Sequence, residues 1–134
     1  MNKLHQGSCH CGAVRFECML DLQGETSRCN CSICLKQRFW KSIVPTGEMR
    51  ITSGADQLTD YQFGKRSIHH LFCRRCGTKP FGRGHTEPIG DFYAINVAAL
   101  DGVTPAEFAE MPIVYQDGLH DRWDREPAHA REYL

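Results

Sequence analysis

No stretch of this 134-residue sequence holds the roughly 18 consecutive apolar residues needed to cross a bilayer, so no membrane-spanning helix is expected. An excess of charge of either sign is also missing. Sixteen Lys and Arg balance 16 Asp and Glu, which leaves no basic footprint for nucleic acid. Internal repeats and low-complexity tracts are absent, and one domain is expected over residues 1–134, with a core at about 5–116 and a polar extension at 117–134. The opening residues MNKLHQGSCH lack the apolar core of a secretory leader, so a cytoplasmic, reducing location is the expectation. Helix-start signals are scarce as well.

Cysteine is what the sequence has in abundance. Seven of its eight cysteines fall into three tight clusters: Cys9 and Cys11 in SCHCG, Cys29, Cys31 and Cys34 in CNCSIC, and Cys73 and Cys76 in CRRCG. Eight cysteines in a short chain can also pair as disulfides. C-x-C and C-x-x-C spacings converge on one metal more readily than they pair separately, and a reducing compartment disfavours stable bridges. A tetrahedral zinc takes four ligands, so the seven thiols divide most simply into a closed set of four and an open set of three.

The rest of the chain reads as short strands. Val14, Phe16, Cys18 and Leu20 alternate with Ala13, Arg15, Glu17 and Met19, the period-two pattern of a half-buried strand. Cys18 therefore faces the core and is assigned to neither metal set. Further strands are predicted at Lys41 to Val44, Met49 to Thr52, Thr59 to Phe63, Ser67 to Phe72, Phe92 to Val97 and Ile113 to Tyr115. Regular short strands between Gly, Pro, Asp and Ser imply small antiparallel sheets. Thr104, Pro105 and Glu107 form a capping-box signature for one short helix, and Ser32 is read as the cap of a helical turn running to Arg38. The extension DGLHDRWDREPAHAREYL is expected to pack through Leu119 and Trp123.

The cluster spacings suggest how the ligands are presented. If each C-x-C lies in a strand, its two sulfurs share a face. C-x-x-C makes a tight turn, and Gly77 supplies the left-handed backbone that such a turn often needs. Cys9, Cys11, Cys73 and Cys76 would then staple the N-terminal segment to the middle of the chain. Cys29, Cys31 and Cys34 form a local three-point clamp with one side open, the layout of a catalytic site. A histidine closing that set is the competing arrangement, with His10, His69, His70 and His85 as candidates. His70 alternates with Ile68 and Phe72 and is expected to face the core, and His10 to point away from its neighbouring ligands.

GSCHCGAVRF, CNCSIC and FCRRCGTKPF together resemble the glutathione-dependent formaldehyde-activating family, which includes domains similar to centromere protein V. The resemblance is dense from Gly7 to about Phe81, continues weakly through YAINVAALDG and fades after Asp117. It implies a mainly β fold: a zinc-stapled tent of small antiparallel sheets with one or two short helices. It further implies a structural zinc on Cys9, Cys11, Cys73 and Cys76, a catalytic zinc on Cys29, Cys31 and Cys34, and the reversible joining of glutathione to formaldehyde, a carbon–sulfur lyase reaction.

Physical chemistry agrees with a thiol substrate. Three thiolates on Zn2+ leave a net charge near −1, which weakens carbonyl polarisation but favours deprotonation of an entering thiol. The expected partners are a small-molecule thiol and a small aldehyde, with no nucleic acid and no membrane. Lys36, Arg38 and Arg28 are candidate carboxylate partners, and Phe39 and Trp40 candidate pocket walls. A zinc-stabilised binding module without catalysis is the alternative reading.

Overall fold

The computed structural model of the chain describes residues 1–87 and 89–134. Ten strands form two sheets: β1 (Lys3–Ser8), β2 (Arg15–Leu20), β3 (Thr26–Cys29), β4 (Trp40–Pro45), β5 (Met49–Ser53), β6 (Leu58–Tyr61), β7 (Ile68–Cys73), β8 (Phe81–Thr86), β9 (Gly90–Asn96) and β10 (Ile113–Gln116). Three strands pair antiparallel in the order β1-β2-β5, and seven run β10-β3-β4-β9-β8-β7-β6. The small sheet lies on one face of the large one. Phe16 meets Phe81 edge-on at 5.4 Å, and Phe81 meets Tyr93 at 5.6 Å. Val14, Cys18, Leu20, Met49, Val44, Cys73 and Ile95 complete this core. Cys18 is buried away from both thiol clusters, and burial pushes its thiol up to about 12.

The opposite face of the large sheet has its own chemistry. Direct partners across an antiparallel ladder share a face. Ile43 pairs with Ala94, Pro45 with Phe92, and Lys41 with Asn96, so Lys41, Ala94 and Phe92 lie together. His70, Gly82 and Ala94 form one row through β7, β8 and β9. Phe39, Phe92 and Ala94 make a second, smaller core here, against which Cys34 and Ile68 pack.

Three short helices complete the fold: α1 (Ser32–Gln37), α2 (Pro105–Glu110) and α3 (Ala130–Tyr133). α2 begins as its sequence indicates. Thr104 Oγ1 accepts from Glu107 N at 3.1 Å and Glu107 Oε1 accepts from Thr104 N at 3.0 Å, an arrangement that contributes about 1 kcal/mol. α1 starts one residue earlier than expected. Cys31, not Ser32, is the capping position, its carbonyl accepting from Leu35 N at 3.0 Å without a side-chain cap. Arg38 ends the helix in the left-handed region at φ 55°.

The predicted strands all form, with ends differing by a residue or two, but β1, β3 and β8 are additional. The polar KLHQGS of β1 is largely exposed, and FGRGHT of β8 interrupts its pattern with two glycines. β10 joins β3 in parallel, an exception to the antiparallel expectation that arises because the connection containing α2 crosses from β9 over β4 and β3 and re-enters the sheet in the direction of β9, which is also that of β3. No described helix is long and apolar enough to cross a membrane.

Candidate metal centres

All eight cysteines are free thiols. Seven gather into two groups, each with its Sγ atoms within 4.8 Å of one another: Cys9, Cys11, Cys73 and Cys76, and Cys29, Cys31 and Cys34. The first group joins the loop after β1 to the end of β7. Cys9 and Cys11 do not lie in a strand, contrary to the expectation from their spacing. They sit in a turn closed by Gly12 N donating to Cys9 O at 3.1 Å, and the turn curls both sulfurs to one side. Gly77 adopts φ 77° after the Cys73–Cys76 turn, and its N–H donates to Cys73 O at 2.8 Å.

This donor set fits zinc. Cys11 Sγ lies 3.7 Å from both Cys9 Sγ and Cys73 Sγ. A tetrahedron with Zn–S bonds of about 2.3 Å has sulfur–sulfur edges of about 3.8 Å. Val14 N donates to Cys9 Sγ at 3.3 Å and Arg75 N to Cys73 Sγ at 3.4 Å, bonds that favour thiolates.

The second group spans the junction of β3 and α1. Cys29 ends the strand, Cys31 caps the helix and Cys34 lies one turn on, so the second C-x-C is also a bend rather than an extended strand. Cys31 N donates to Cys29 Sγ at 3.2 Å. Hydrogen bonds from the Cys29 and Cys34 thiols hold the Cys31 thiol far below its ordinary value, and the N–H groups of Cys34 and Ile33 reinforce this against burial. Cys34 is raised, by Cys29 first and then Cys31, because a second and third negative charge would crowd the same space.

Among the described residues, no further His, Cys, Asp or Glu joins the three. His69 pairs with Asp60, His85 with Asp91 and Glu87, and His10 is exposed. His70 is buried and accepts from Lys79 Nζ at 2.8 Å. The second cluster is thus open where the first is closed.

The family model for the glutathione-dependent formaldehyde-activating enzyme matches residues 4–117, which include both clusters. The chain belongs to this family. A Halomonas elongata protein, provisionally named a glutathione-dependent formaldehyde-activating enzyme, is 32% identical over 83 residues, covering 56% of this chain and 53% of the relative. The chain therefore spans about half the length of that relative. A crystal structure of a Rhodobacter sphaeroides protein superposes with a TM-score of 0.69 at 36% identity, covering 81% of this chain and 99% of that one.

Beside Cys29 of the three-thiol cluster lies a cavity of about 250 Å³, lined by Arg28, Cys29, Leu35, Arg38, Phe39, Trp40, Ala98 and Leu134. Two of the three cations expected near the site, Arg28 and Arg38, reach it. Lys36 is exposed and does not line it. Arg28 stacks over Trp40 at 4.9 Å, and the Trp40 indole is fixed by donating to Thr26 Oγ1 at 2.7 Å.

The end of the family match and the residues just beyond it also reach the site. Asn30, between two of the thiols, is clamped by Asp117 and by Leu119 N, and Gly118 lies against Cys29. Leu119 and Trp123 remain substantially exposed, so they are not the anchors expected. Asp117, Gly118 and the buried Ala130 take that role, because backbone and carboxylate groups can satisfy the loop's polar atoms where large apolar side chains cannot. Sequence periodicity could not reveal this contact, since it depends on a single amide.

Proposed function

We propose that the chain is a zinc-dependent enzyme that adds a thiol, glutathione or a close relative, to formaldehyde or another small aldehyde and also cleaves the adduct. In the forward direction the thiol sulfur bonds to the aldehyde carbon and the carbonyl oxygen takes up a proton. The reverse is a carbon–sulfur lyase reaction.

The observation that carries this reading is the contrast between the clusters: four thiols in one, and in the other three, of which Cys29 borders a cavity. Cys9, Cys11, Cys73 and Cys76 would hold a structural Zn2+, and Cys29, Cys31 and Cys34 a second one. Zn2+ held by three thiolates supplies a free position at which an entering thiol loses its proton at neutral pH. Arg28 and Arg38 line the cavity and donate to the carbonyls of Leu134 and Tyr133, and the carboxylates of an anionic tripeptide would take the place of those C-terminal acceptors. Phe39 and Trp40 form an apolar wall that limits water beside the thiols. Seven exposed or clustered thiolates call for a reducing compartment, which favours the cytoplasm.

Because thiols also add to formaldehyde unaided, the test is the exchange rate between free glutathione, 13C-formaldehyde and their adduct, read by exchange NMR. Acceleration by the zinc-loaded chain and its loss in Cys31→Ser are expected. A rate equal to background with both metals retained would reduce the chain to a zinc-stapled binding module.

A further inference from the structure

Two lysines are enclosed on the sheet face that α1 covers, and both lie beside the three-thiol cluster. Lys79 is only 8% exposed. Its side chain runs past Gly82, whose missing Cβ leaves 3.6 Å to Lys79 Cε, and its ammonium donates to His70 Nδ1 at 2.8 Å and Gln37 Oε1 at 3.1 Å. It also sits 4.1 Å from the centre of the Phe39 ring. Gln37 belongs to α1, the helix that carries Cys34, and Phe39 packs against Cys34. Burial depresses Lys79 to about 8, while Cys34 and Cys31 hold it up and Lys41 pushes it further down. The same burial, reinforced by Lys79, depresses His70 to about 4, so the imidazole is neutral and accepts.

Lys41 differs from Lys79 in having no hydrogen-bond partner among the described residues. Its Nζ is buried with no hydrogen bond, a placement that is costly unless an anion stands near. Its strand partner Ser27 lies two residues before Cys29, and it shares a sheet face with Phe92 and Ala94, the small core against which Cys34 packs. Among the described residues the four-thiol cluster has no such enclosed cations, its neighbours Arg15, Arg74 and Arg75 being exposed.

Charge arithmetic gives this pair a purpose. A divalent metal with three thiolates carries about −1, and a further thiolate takes the centre to about −2. Two buried ammonium groups bring that total to about zero, whereas with the fourth position neutral they leave the enclosed site near +1. Counting the two enclosed lysines, the charges balance when an anion enters, and the guanidinium groups of Arg28 and Arg38 at the cavity bias the site the same way.

We propose that Lys41 and Lys79 make the three-thiol site a receptor for an anionic fourth ligand, with Lys41, the unpartnered one, acting as the residue that selects for negative charge. The proposal rests on the metal-bearing reading of this cluster above and names the charge class its ligand must have. Lys79 acts as a positioning residue, held by His70 and Gln37 so that its charge faces the helix bearing Cys34.

Cobalt-substituted full-length protein tests this with two probes, sodium azide and glutathione, each titrated while the visible bands of the three-thiol site are followed. Azide is expected to perturb those bands in the wild type, Lys41→Met to weaken its binding by at least about tenfold, and Lys41→Arg to restore most of the affinity. Lys41→Met is also expected to leave the protein loaded with one metal equivalent, held by the four-thiol cluster, as stable as wild type or more so, since it removes an unpaired buried charge. A merely structural lysine would not combine weaker anion binding with undiminished stability. Unchanged azide affinity in Lys41→Met, or no azide binding by wild type, overturns the proposal. Azide binding without glutathione binding would sink the thiol reading of the previous section and leave the anion receptor standing. Lys79→Met, expected to weaken azide binding less than Lys41→Met, supplies a second variant, and an equal or larger loss there would overturn the selective role given to Lys41.

Discussion

Asn30 Nδ2 donates to Asp117 Oδ1 at 2.9 Å across 87 residues of sequence. The same amide accepts from Leu119 N at 2.9 Å through its oxygen. A residue lodged between Cys29 and Cys31 is thereby tied to the start of the C-terminal segment, and the loop that carries two thiols is held by the last residue of the family match, Asp117, and by Leu119 just beyond it.

Replacing Asn30 by Ala leaves both partners without their amide. We expect a loss of about 1–3 kcal/mol, the usual cost of unsatisfied buried polar groups, measured by urea unfolding of the metal-loaded chain. The variant should also lose metal from the three-thiol cluster sooner than from the four-thiol cluster under a chelator, because only the former depends on this loop. Equal loss from both would contradict the clamp.

Gly118 permits the close approach of the extension. A Cβ there would lie 2.5 Å from Cys29 Sγ and 2.7 Å from Trp123 Cη2. Gly118→Ala is expected to cost about 1–3 kcal/mol by overpacking and to displace Cys29. Metal stoichiometry at limiting zinc is the readout, and retention of both metals with full affinity would refute it.

The two clusters should respond differently to loss of a ligand. Cys73 is fully buried and joins β7 to the turn after β1, so Cys73→Ser should cost several kcal/mol or abolish folding, as loss of a structural metal does. Cys31→Ser should remove one metal of two and leave the far-ultraviolet circular dichroism unchanged. Collapse of the fold in Cys31→Ser would count against an open, catalytic role.

Asp117 sets an acid limit to the extension. The Asn30 amide first, with His120 and Arg125 assisting against burial, holds its carboxyl below the usual carboxylate range. A folded-state value below the unfolded one means that Asp117 stabilises the protein fully above the ordinary carboxylate value and progressively less as pH falls through its depressed one. Unfolding midpoints of wild type should therefore drop on acidification below that ordinary value, and Asp117→Asn should flatten this part of the profile. Parallel profiles for the two proteins would exclude Asp117 as the responsible group.

Much of the site was legible in the sequence because metal chelation imposes spacing. Cys-x-Cys and Cys-x-x-Cys place sulfurs within reach of one ion whatever the surrounding fold, so the grouping of four and three thiols needed no coordinates. Alternation in Val14 to Leu20 marked β2 and the buried Cys18, and Thr104 with Glu107 marked α2, because both signals arise from contacts between near neighbours. The edge strand β1 and the glycine-bearing β8 carried no such local signature, since pairing partners far along the chain determine them.

Tertiary structure alone decided what surrounds the thiols. That Lys41 and Lys79 share a sheet face beneath α1, that His70 receives a hydrogen bond from a lysine instead of binding metal, and that Gly118 rests on Cys29 all follow from strand register and chain return. Local sequence encodes which atoms can bind a metal, because donor chemistry belongs to single residues. The charge and closure of the space around that metal belong to residues brought together only when the seven-stranded sheet assembles, and the long-range pairings that assemble it leave no periodic trace in the chain.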